Sequence, residues 1–221
     1  MGKSLRFLWT SARLNLSVSA GFAAVVTLGT WATGGVPGTD NAFSLYFGLF
    51  PMMALIMMFL FAFSLCTTEL NLALTFGARR QDFFRAVQGM LAIYAVAFWA
   101  MQRGMAALPN ALDWEKREIW NSMLSLGGMP WWLYPLICLA VLSAGCLCGL
   151  VYVRARGWGV AIICGVCLLG VAAVVVLLIA ANHWDGTLWD GLPALLAAGM
   201  ALVFVGSECL LWRTVRRAVV K

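Results

Sequence analysis

The chain has 221 residues, of which 63% are hydrophobic and 11% charged, and its net charge is +6. A water-soluble domain of this length carries about a quarter of its residues charged, so this composition excludes one. A spanning helix uses roughly 20 apolar residues, so the length suffices for six crossings in an all-α, polytopic membrane fold and leaves no room for a separate soluble domain.

In chain order, residues 3–14 read as an amphipathic helix lying in the membrane interface. Leu5, Leu8, Trp9 and Ala12 share one face, and Lys3, Arg6, Thr10 and Arg13 the other. This leader (1–14 as a unit) is basic and lacks a small-residue cleavage site before the first apolar run, so it is expected to stay attached. The first span is predicted over 16–33, closed by a turn of Gly34, Gly35, Pro37 and Gly38. The second apolar run covers 42–76. Fully helical, it would extend roughly 50 Å against a hydrocarbon core of about 30 Å, so it tilts or projects beyond the lipid. Glu69 and Asn71 come late in it, which favours projection at the far end, and Pro51 is expected to kink it.

A basic segment, Gly77 to Arg85, separates this run from a third span over 86–108. Residues 109–130 form the longest loop, in which Asn110 could cap a short surface helix. The fourth span is predicted over 131–153 and the fifth over 158–181, with Arg154 and Arg156 in the tight turn between them. Two Trp-Asp-Gly tripeptides, at 184–186 and 189–191, precede the sixth span over 192–212. Each reads as an Asp-Gly turn with an interfacial tryptophan rather than as a cation site. A basic tail follows.

Orientation comes from the basic residues. Twelve of the fifteen (Lys3, Arg6, Arg13, Arg79, Arg80, Arg85, Arg154, Arg156, Arg213, Arg216, Arg217, Lys221) fall on the side of the two termini, and Arg103, Lys116 and Arg117 on the other. The positive-inside rule then places both termini in the cytoplasm, which requires an even number of spans. Clusters of this kind between apolar runs do not suggest nucleic-acid binding.

No catalytic constellation emerges, so the chain is not expected to be an enzyme. Its single histidine, His183, lies in a predicted outer loop, and no Gly-x-Ser-x-Gly is present. Gly2-Lys3-Ser4 lacks the upstream glycine and strand of a phosphate-binding loop. Seven cysteines, including the Cys164-x-x-Cys167 pair, sit in apolar runs and read as buried thiols, with neither disulfides nor a metal site expected. Glu69 and Glu208 lie near span ends, either as anchors, Glu208 pairing with Arg213, or as part of a gate or proton step. Gly145 and Gly149 form a Gly-x-x-x-Gly that permits close helix contact. Phe50, Met53, Met57 and Phe61 form a stripe that either packs or lines a soft cavity for an apolar substrate.

The segment Leu74-Thr75-Phe76-Gly77-Ala78-Arg79-Arg80-Gln81-Asp82-Phe83-Phe84-Arg85 resembles the cytoplasmic turn of the type-2 ABC exporter permease family. That family has a Leu-x-x-Gly-x-x-Arg-x-x-Phe-like stretch after an overlong second span, and Leu74, Gly77, Arg80 and Phe83 occupy the matching positions. The resemblance extends to the basic leader helix, the six spans and a small outer element before the last span. The loop after the third span is longer than the family pattern. What the resemblance implies is a permease subunit, in a bacterial inner membrane, that binds no cofactor itself. It would pair with a second permease chain, the same or related, and with separate ABC ATPase subunits that hold ATP and magnesium. It would move an amphiphilic cargo such as a drug, a peptide or a lipid. The coupling residues would be Gly77, Arg79, Arg80, Phe83, Phe84 and Arg85. A proton-coupled secondary exporter is the alternative, and it needs a protonatable residue near mid-membrane.

Overall fold

The computed structural model describes residues 2–33, 42–76, 79–111, 131–155 and 192–217, together with positions 158, 160, 161 and 165. All regular structure among them is helical. Helix α1 is Gly2–Ala32, α2 is Ala42–Ser64, and a π-helical turn over Leu65–Glu69 joins α2 to α3, Leu70–Thr75. Then come α4, Arg80–Ala111, α5, Leu133–Arg154, and α6, Leu192–Arg217. Five stretches are long and apolar enough to cross a membrane: Arg6–Ala32, Ala42–Thr75, Gln81–Leu108, Leu133–Arg154 and Ala194–Thr214. The chain is thus compatible with a membrane-spanning protein. Apart from positions 158, 160, 161 and 165, the predicted fifth span lies outside the described residues, as do the Trp-Asp-Gly repeats, His183 and Cys164/Cys167.

The leader helix is not a separate element. α1 runs unbroken through Asn15, because nothing between the leader and the first span stops a helix. The hydroxyls of Ser17 and Ser19 donate back to the carbonyls of Leu14 and Asn15, at 2.8 and 3.0 Å, so the polar residues at the junction are satisfied within the helix. Leu8 and Ala12, expected on the apolar face of an interfacial helix, are fully buried in the bundle. The Tyr94 hydroxyl on α4 donates to the Ala12 carbonyl at 3.0 Å. Asn110 lies within the last turn of α4, and the short helix expected after it falls outside the described residues.

Helix directions follow from side-chain register. α2 and α5 run parallel: Gly145 lies under Phe59 and Ala62, Gly149 under Phe63 and Cys66, and the Tyr134 hydroxyl donates to the Pro51 carbonyl at 3.4 Å. A Cβ at Gly145 would sit 2.7 Å from the Phe59 carbonyl oxygen, and one at Gly149 2.6 Å from that of Phe63. The Gly-x-x-x-Gly is therefore the seat of a close helix contact, as small residues allow between spans. α1 runs antiparallel to α2, with Ser19 against Met57 and Phe22 against Phe50. α4 returns alongside α2, with Phe61 and Tyr94 stacked at 3.9 Å.

These directions gather Arg6, Arg79, Arg85, Arg154 and Arg213 at one end of the bundle. The described outer faces are apolar, with Leu14, Val18, Val25, Leu28, Ile56, Leu60, Leu202 and Val205 all exposed. So large an apolar surface would drive association in water and is ordinary in lipid. Among spans in lipid the inward faces gain no hydrophobic burial, so dispersion contacts and hydrogen bonds hold them.

Candidate functional site: a basic turn and the seam above it

The overlong run is one continuous helical rod from Ala42 to Thr75, carried past Pro51 and through the π turn. Within that turn the Leu70 N–H donates to the Leu65 carbonyl, five residues back. The Thr67 hydroxyl donates to the Phe63 carbonyl at 3.0 Å, and the Asn71 side-chain amide to the Thr67 carbonyl at 2.9 Å. These bonds occupy carbonyls that a widened turn frees. The rod stops at Phe76, whose N–H donates to Leu72 at 3.2 Å. Gly77 and Ala78 lie outside the described residues. α4 begins at Arg80 with Asp82 in its first turn, where a carboxylate complements the helix N-terminus.

The two phenylalanines of this turn do not face outward. Phe83 is 1% exposed and belongs to the bundle core. The Phe84 ring packs on Trp212 of α6, centroids 4.9 Å apart. Left exposed are Phe76, at 77%, and the side chains of Arg79, Gln81 and Arg85. An apolar anchor flanked by arginines exists, but Phe76 provides it. Sequence reasoning overlooked Phe76, although its place as the last residue of the apolar rod, just before Gly77, was a signal.

Glu208 also differs from expectation. Its carboxylate does not turn to Arg213. Oε2 accepts a 2.5 Å hydrogen bond from the Gln88 side-chain amide of α4, and Oε1 is buried with no hydrogen-bond partner among the described residues. The thiols of Cys146 and Cys66 meet nearby, within electrostatic reach of the carboxylate. Cys66, Cys138, Cys146 and Cys148 are buried, as the sequence suggests, whereas Cys209 is exposed. Glu69, the other candidate carboxylate, is half-buried at the end of the π turn.

Phe84 and Gln88 are four residues apart on α4, and Glu208 and Trp212 four apart on α6. Residues at this spacing share a helix face, so the two pairs form successive rungs between antiparallel helices. α6 leans chiefly on α5 and touches α4 only lightly. The α4–α6 seam is thus thin, capped by an aromatic pair at the basic end, with a polar pair one turn deeper. The predicted cavity stripe lies elsewhere and is packed: Phe50 stacks near Phe22, Met57 sulfur accepts from Ser19, Phe61 stacks on Tyr94, and Met53 is half-buried. No group of His, Cys, Asp and Glu among the described residues could hold a metal ion. Compared with known protein families, curated proteins and solved structures, the chain matches none.

Proposed function

We propose that this chain is the transmembrane permease subunit of an ATP-driven (ABC) exporter, moving an amphiphilic cargo out of the cytoplasm. The observation that carries the reading is the turn after the overlong rod, where exposed Phe76, Arg79 and Arg85 stand between two long helices. Such a tip suits docking into a partner groove with an acidic rim: the aromatic ring fills the groove and the arginines meet the rim. ATP and magnesium would bind the partner ATPase, whose closure would displace the tip and rock α2–α3 and α4 against the rest.

The six-span, N-in/C-in arrangement belongs to the same proposal. α5 and α6 both run parallel to α2, which supports a crossing between them, and the fifth span read from sequence over 158–181 would be that crossing. The end of the bundle that gathers Arg79, Arg85, Arg154 and Arg213 is then the cytoplasmic end of a bacterial inner-membrane protein. A second permease subunit, the same or related, completes the transporter.

Co-purification tests the reading. Tagged wild-type chain is expected to bring down an ATPase with a phosphate-binding loop, and Phe76→Ala combined with Arg79→Glu to lose it while the bundle stays folded. Transport that survives both substitutions with no ATPase attached would refute the assignment. The buried carboxylate of Glu208 favours one second reading, a proton-coupled exporter. Transport that stops on collapse of the proton gradient, yet continues when ATP hydrolysis is blocked, would select it.

A further inference from the structure

We propose that Glu208 and Gln88 form a recognition site for the ammonium group of a cationic amphiphile, entered through the α4–α6 seam. The starting point is Glu208 Oε1, covered and without a hydrogen-bond partner among the described residues, beside Oε2, which Gln88 holds at 2.5 Å. A half-satisfied carboxylate at this depth is costly. As an anion, Oε1 lacks a donor. A group that brings N–H donors and positive charge completes the site. Among the described residues no group of His, Cys, Asp and Glu could hold a metal ion. An organic ammonium needs no such cage: one carboxylate oxygen and the lone pairs of a neighbouring amide suffice.

The surroundings set the rest of the ligand. Phe84 and Trp212 close the seam one turn toward the basic end, and their rings offer cation–π contact to an ammonium on its way in. On the other side of Glu208, one turn along its face of α6, lie half-buried Phe204 and exposed Val205, against which an alkyl chain can lie. A charged head drawn to Glu208 and a tail left along α6 describe a single-chain amine or an amphipathic cationic peptide. The α4 rung that grips Trp212 belongs to the same helix start as Arg79 and Arg85, so displacement of that turn parts the rungs in order, aromatic first and polar second.

This inference rests on the exporter reading only for the ligand's role as cargo. The experiment therefore uses the full chain alone, without ATPase, in nanodiscs of neutral phosphatidylcholine. Radiolabelled decylammonium is expected to bind saturably above empty discs. Glu208→Gln should weaken that binding by roughly tenfold or more, Glu208→Asp should retain part of it, and decanol should not compete. Difference infrared spectra should show the Glu208 carboxyl band shifting on addition of the amine, a readout that a merely misfolded variant does not supply. Equal binding by Glu208→Gln, effective competition by decanol, or a carboxyl band that moves with pH but not with amine would each overturn the site. None of these outcomes bears on ATPase capture.

Discussion

Gly149 carries the tightest demand on a single residue. Any side chain there meets the Phe63 carbonyl at 2.6 Å and the Cys66 Cβ at 3.1 Å, and a backbone carbonyl does not swing aside as a flexible side chain would. Gly149→Val is expected to destabilise the bundle by about 1–3 kcal/mol through overpacking, measured as a shift in denaturation by sodium dodecyl sulfate. Gly199, around which a Cβ would meet nothing within 4 Å, serves as the control and should be near neutral on changing to Ala. Tyr94→Phe removes only the bond to Ala12 and should cost about 1 kcal/mol. The Gly145/Gly149 pair was legible in the sequence because spacing alone places both on one face. Gln88 was not. A single glutamine in a span has no pattern of its own, and its meaning comes from a carboxylate 120 positions away. Glu208 was legible as a candidate but not its partner, since Arg213, five positions on, lies off the face that the i and i+4 side chains share.

At the scale of elements, run length and breakers were readable and continuity was not. The rod over 42–75 follows from its uninterrupted apolar composition, and the end at Phe76 falls next to Gly77, as expected of a helix stop. The π turn left no mark in the composition, because Leu, Thr and Cys suit an ordinary helix. The leader was misjudged for a related reason: amphipathicity reports that one face is buried and not what covers it. Here α4 covers it. The aromatic order of the basic turn was also misassigned, since burial of Phe83 depends on how α4 enters the bundle. For this turn, Phe76→Ala should leave thermal stability within about 0.5 kcal/mol, as for an exposed site, while weakening partner capture. Phe83→Ala should unfold the bundle start by about 3 kcal/mol or more. A thermal melt paired with a pull-down separates the two. Phe84→Ala should lie between them, losing about 1 kcal/mol of aromatic pairing with Trp212.

For the whole molecule, four helices share one core and α6 leans on α5 at its edge. α1, α2, α4 and α5 share a core of aromatic and small residues, from Phe22 and Phe50 through Phe61 and Tyr94 to the glycines of α5. α6 lies on α5 and meets α4 at few points. Amide exchange in nanodiscs is expected to be fastest in α6 among the described helices, and slowest in the middle of α2 and α5. Fluorescent-protein fusions at either terminus should both mature, which requires cytoplasmic ends; a dark fusion at one terminus would break the N-in/C-in assignment. The π turn links these scales. An α-helix advances roughly 100° per residue, so one surplus residue in a turn re-phases everything downstream. The azimuth at which Phe76 leaves the rod is therefore set by a five-residue dial at Leu65–Glu69, wedged beside Gly149. Deleting Thr67 would turn that dial back by one notch, swinging the tip about a quarter-circle around the rod axis while its length and chemistry stay nearly the same.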